Sequence, residues 1–120
     1  MLGILLVGHP ELEQRLSRHD VREVMQRTEI ARLRPLGSDL AAYLQRRAEA
    51  AGRKLADFIT MDGVDELKSR LTVRTGKEGQ VSLLYPLNIN NWLTAALNTA
   101  AAIGAPVVDR DVIAAVPAGC

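Results

Sequence analysis

Aromatic residues are scarce, with one Trp, two Tyr and one Phe in 120 positions. An interior with so few rings has to be packed by Leu, Val, Ile and Ala, which favours helix-on-helix layers over a β-sandwich. Cysteine is scarcer still. The single Cys120 has no partner, which excludes a disulfide framework or a cysteine-based metal site and points to a reducing, cytoplasmic setting. His9 and His19 are the only two histidines, and they lack the spacing and accompanying acids of a metal centre, so no metal site is expected. An excess of one charge is missing too. Fifteen basic and fourteen acidic residues leave a net charge of +1, too little for a polyanion binder driven by bulk charge. No segment approaches the ~20 apolar residues of a membrane span, so no membrane insertion is expected. The opening apolar run has no basic leader, and Glu11, Glu13 and Arg15 follow it at once, which is not the pattern of a signal peptide.

A phosphate loop is also absent. Thr75-Gly76-Lys77-Glu78 comes nearest, but G-x-x-x-x-G-K-[ST] requires Gly where Leu71 stands and a hydroxyl where Glu78 stands. The segment reads as a solvated turn. No apolar run ending in paired acids offers a magnesium-binding strand either.

What is present suffices for one domain, or a small domain plus the remnant of another. Hydrophobic residues make up 48% of the chain, and residues 81–120 carry only Asp109, Arg110 and Asp111 as charges. The C-terminal third is therefore core-forming. Met1–Val7 (MLGILLV) is continuously apolar and ends at Gly8, the pattern of a parallel strand covered on both faces. Pro10 suits the first position of a short helix, with Leu12 and Leu16 on one face. Ser17-Arg18-His19-Asp20 resembles a capping box that starts a second helix, with Val21, Val24 and Met25 facing inward. Glu29–Arg34 alternates as a second short strand.

Beyond Pro35-Leu36-Gly37 the reading is helical. Ser38 is the expected cap of a helix over 39–51 closed by Gly52, and Thr60 starts another through Leu71. Thr72–Gln80 reads as a polar loop, and Val81–Pro86 as a brief strand or an apolar lead-in. Leu87–Ile103 is the strongest helix, with Ile89, Trp92, Leu93, Ala96, Leu97, Ala100 and Ile103 in one stripe and Gly104 ending it. Asn88, Asn90 and Asn91 are placed to cap it. Asp109 caps a last helix that Pro117 ends.

His9, a polar residue just past a buried strand, stands where α/β proteins put ligand contacts; the plain alternative is a turn residue ahead of Pro10. Arg46, Arg47, Arg53 and Lys54 cluster around one helix end, where cations complement the helix dipole or, as a patch, contact nucleic acid.

Taken together, LLVGHPEL, RLSRHDVREVMQRTEIARLRPL, AAYLQRRAEAAG and LLYPLNINNWLTAALNTAAAIGAPVVDRDVIAAV resemble the C-terminal half of AAA+ ATPases of the ExeA and TniB kind, which serve secretion systems and transposases. The most specific pieces are Gly8-His9-Pro10-Glu11-Leu12, Gln26-Arg27, and Tyr85-Pro86-Leu87 leading into Asn90-Asn91. The resemblance implies a mainly α chain. Residues 1–36 would be the C-terminal remnant of an α/β AAA+ core with two short strands, and residues 37–120 a helical lid of about four helices. It implies a γ-phosphate sensor at His9, an arginine-finger role for Arg27, and a sensor-2 region at Pro86 and Asn88. A guanidinium suits the finger role because it stays charged and bonds phosphate twice.

Two departures bound these implications. Leu87 stands where many relatives carry the sensor-2 Arg, and the phosphate loop and paired acids are absent. ATP and Mg belong to the complete family protein, so this chain alone is expected to bind neither and to hydrolyse nothing. The implied partners are DNA and a transposase, with a protein-interaction lid of a secretion-pathway ATPase as the alternative. In such sheets a further strand lies between the two expected here, so their open edges imply self-association.

Overall fold

The computed structural model describes residues 2–18, 21–76 and 79–117, and it is mainly helical. The elements are α1 (Glu11–Leu16), α2 (Arg22–Gln26), α3 (Leu40–Ala50), α4 (Met61–Arg70), β1 (Thr72–Thr75), β2 (Gly79–Ser82), α5 (Pro86–Ile103) and α6 (Arg110–Ala115), with 3₁₀ turns at Gly37–Asp39 and Leu55–Asp57. The chain divides into two compact units, Met1–Leu33 and Arg34–Cys120.

The second unit is built around one aliphatic core. Leu40 and Leu44 of α3, Val64 and Leu67 of α4, Ile89, Ala96 and Ala100 of α5, and Val112 and Ile113 of α6 meet there with Ile59, Leu71, Leu84, Val108 and Val116. Each fully buried Leu or Ile contributes about 1.5–3 kcal/mol from its removal from water. The helix ends follow local rules. The Thr60 hydroxyl accepts from the Gly63 amide (3.2 Å) and the Asp109 carboxylate from the Val112 amide (2.9 Å), satisfying N–H groups that the first turns of α4 and α6 leave free. Gly52 and Gly104, both at positive φ, end α3 and α5. The Arg53 amide reaches back to the Ala48 carbonyl (3.0 Å) and the Ala105 amide to the Ala100 carbonyl (2.9 Å), the same reverse turn at both ends.

One backbone contact joins the starts of α4 and α6. Ile59 and Val108 form an isolated parallel bridge, with the Thr60 amide donating to the Val108 carbonyl (2.9 Å) and the Val108 amide to the Phe58 carbonyl (2.7 Å). Because the caps Thr60 and Asp109 follow this bridge directly, α4 and α6 start from one point. Only glycine fits at position 63, since a Cβ there would lie 2.8 Å from the Val108 carbonyl oxygen and 2.9 Å from Ile59 Cγ1.

Several expectations are corrected here. Thr72–Gln80 is no loop, because β1 and β2 pair antiparallel with Val73 opposite Val81 and Thr75 opposite Gly79. The β-branched Thr72, Val73 and Thr75 favour that pairing. The Leu83 amide then donates to the Leu71 carbonyl (2.7 Å), so the hairpin is fastened at its base. Lys77 and Glu78 lie outside the described residues. Ser38 does not cap α3; it sits inside the 3₁₀ turn, and Asp39 takes the cap position without a side-chain bond. No asparagine caps α5, whose N-cap is Tyr85. The Asn88 amide instead donates to the Leu83 carbonyl (3.0 Å), and Asn90 accepts from the Tyr43 hydroxyl (3.0 Å). In the expected α5 stripe, Leu97 and Ile103 are exposed.

The first unit differs in kind. Neither expected strand forms: Leu2–His9 and Thr28–Leu33 carry no helix or strand. A strand exists through its neighbours' hydrogen bonds, and among the described residues none pairs with either segment. Leu2, Ile4, Leu5, Leu6 and Val7 are all exposed, as is Val24, which was expected to face inward. His19 and Asp20 of the expected capping box lie outside the described residues. Ser17 closes α1 instead, its hydroxyl donating to the Glu13 carbonyl (2.8 Å).

Candidate functional site

His9 and Arg27 both belong to the first unit and both are exposed. The His9 carbonyl accepts the Leu12 amide (2.9 Å) at the start of α1, and the Arg27 amide donates to the Val24 carbonyl (3.2 Å) at the end of α2. These bonds hold the backbone at both positions and leave the side chains in solvent. The strongest polar contact of this unit is one that sequence spacing does not announce. Arg32 grips Glu13 through both guanidinium edges, Nε to Oε2 at 3.0 Å and Nη2 to Oε1. The hydrogen bond from Arg32, reinforced by its charge, holds the Glu13 carboxyl below its ordinary value. Nineteen residues separate the pair, so no helical or strand period could have revealed it.

In the second unit Pro86 opens α5 and is exposed, and Asn88 spends its side-chain amide on the Leu83 carbonyl. Asp62 lies in the first turn of α4. It accepts from the Thr60 hydroxyl and from the Gly63 amide (3.0 Å), and the Thr60 bond is the main cause of its lowered carboxyl. An acid in the first turn of a Thr-capped helix is the signal that marks it in the sequence. Arg46, Arg47, Arg53 and Lys54 are exposed at the end of α3. Arg32, Arg70 and Arg110 reach a carboxylate; these four cations have no such partner among the described residues.

No charged or polar side chain is buried among the described residues, and no group of three or more His, Cys, Asp or Glu there could hold a metal ion. Two shallow surface hollows are lined by Arg74, Thr75, Gly76, Gly79 and Gln80 and by Glu11, Gln14, Arg15 and Arg18. Neither contains an expected site residue. Among the described residues no helix is long and apolar enough to cross a membrane. Comparison with protein-family models, curated proteins and solved structures yields no match.

Proposed function

We propose that this chain is the C-terminal part of an AAA+ ATPase of the TniB kind, a transposition regulator that works with DNA and a transposase, with residues 37–120 as its helical lid. The observation that carries the reading is the second unit itself. A lid has to move as a rigid piece, and Arg34–Cys120 contains every buried residue of the described chain. The sensor-like His9 and finger-like Arg27 stand exposed on the other unit, accessible to a nucleotide held elsewhere.

The residues present do not fit a nucleotide site of their own. Leu71 and Glu78 replace the phosphate-loop glycine and hydroxyl, and no buried polar group is available among the described residues to hold a phosphate. The chain alone is therefore proposed to hydrolyse no ATP. In this reading Leu2–Val7, uncharged and unpaired among the described residues, is the segment through which copies associate.

The test is the coding sequence upstream of Met1. An in-frame phosphate loop and an acidic strand there support the reading; an unrelated or out-of-frame sequence overturns it. A second reading, the interaction lid of an ExeA-like secretion ATPase, is favoured by α5. That helix has no charged residue and leaves Leu87 and Ile103 exposed, the charge depletion of a protein-binding face. Neighbouring genes separate the two readings, transposase genes favouring the first and secretion genes the second.

A further inference from the structure

We infer that the end of α3 is a docking patch for the phosphate backbone of duplex nucleic acid, formed by Arg46, Arg47, Arg53 and Lys54. A single cation in the last turn would complement the helix dipole. Here four lie within nine positions, two of them past the helix end. They are carried on a fixed base. Leu40, Leu44 and Ala48 anchor α3 in the core, the Arg53 amide is bonded to the Ala48 carbonyl (3.0 Å), and the Lys54 amide is bonded to the Asp57 carboxylate (3.1 Å).

Neither carboxylate of this stretch forms an ion pair with the four cations among the described residues. Asp57 accepts from that amide, and Glu49 accepts from the Gln45 side chain (2.9 Å). The four cations are thus rigidly based, solvated and without an ion-pair partner among the described residues. Three are guanidinium groups, whose planar fork matches phosphate oxygens.

The surroundings select the ligand. No large hydrophobic residue is exposed between Leu33 and Met61, so the patch lacks the apolar anchor that a membrane surface requires. Tyr43 and Phe58, the aromatics on either side, are half-buried, and the Tyr43 hydroxyl is bonded to Asn90. Neither is a fully exposed ring of the kind that stacks on an unpaired base. Contact is then with the duplex backbone and carries no base readout. The inference rests on the proposed reading for its biological setting, yet the two can fail separately: the upstream coding sequence tests one and the binding measurement the other.

The measurement is fluorescence anisotropy of the full chain with a labelled DNA duplex across a salt series, with duplex RNA, single-stranded DNA and anionic phosphatidylserine vesicles as further arms. Binding at low salt should weaken with a log–log slope of about −3.6 for four phosphate contacts. The variant with Arg46→Gln, Arg47→Gln, Arg53→Gln and Lys54→Gln together should lose most of the affinity and nearly all of the slope. A variant with Lys68→Gln and Arg74→Gln, which lowers net charge elsewhere, should keep the slope. Comparable binding of duplex RNA supports a shared backbone contact. Unchanged binding by the fourfold variant, absence of binding at low salt, or preference for single strands or vesicles overturns the inference. A thermal melt of the fourfold variant matching that of the parent keeps a folding defect from imitating the result.

Discussion

Leu5 and Leu67 are the same side chain in one polypeptide, yet Leu5 leaves 86% of its surface in solvent and Leu67 leaves 1%. The difference belongs to their units. In Arg34–Cys120, four α-helices close around a shared interior; in Met1–Leu33, the two helices of six and five residues carry no fully buried residue. Hydrophobicity supplies a driving force only where other elements are present to receive it, and segments this short cannot enclose a core. The first unit has the Glu13–Arg32 pair and the half-buried Leu12, Leu16, Val21 and Met25 to hold it. An exposed pair of this kind is a weak fastening.

The comparison can be broken at several points. Leu67→Ala should cost about 2–5 kcal/mol, as buried leucines do, and thermal denaturation followed by circular dichroism should show a large fall in Tm. Leu5→Ala should stay within about 0.5 kcal/mol of the parent; an equal fall would mean that the first unit shares the core. Gly63→Ala comes next, at about 1–3 kcal/mol, because its methyl group has to displace the Val108 carbonyl or Ile59. Thr60→Ala and Asp109→Ala should each cost about 1 kcal/mol through the lost cap, and amide exchange should speed up first at Gly63 and Val112, the amides they hold.

The smallest effect is in pH. Glu13 and Asp62 both have lowered carboxyls. A carboxyl depressed in the folded state stabilises it above the ordinary value, and that contribution fades as pH falls through the lowered value. Acidification should therefore release the Glu13–Arg32 grip without moving the melt of the second unit, whereas loss of the Asp62 bonds should lower that melt slightly. Carboxyl titration by NMR in the parent, against Glu13→Gln and Asp62→Asn, checks both.

How much was legible from the residues follows the same division. Leu87–Ile103 could be read because it is long, periodic and stopped by Gly104; the Thr60, Gly52 and Asp109 signals act within a few residues of themselves and were equally plain. Leu2–Val7 was misread because a strand depends on partners distant in sequence, which its own pattern cannot supply. The hairpin was missed for the opposite reason, its polar surface masking a run of β-branched residues. At the α3 patch, the sequence shows that cations cluster; only the fold shows that no carboxylate pairs with them among the described residues.

The Ile59–Val108 bridge has a consequence for how the protein is made. Its two sides are far apart along the chain, so the start of α4 lacks this partner until Val108 arrives. During synthesis α3, α4 and the hairpin emerge first, and the places in the core that Val108, Val112, Ile113 and Val116 fill stay open until those residues follow. The second unit therefore completes late, after residue 116 has left the ribosome. A ribosome stalled before Val108 would hold a chain with helices but no closed core.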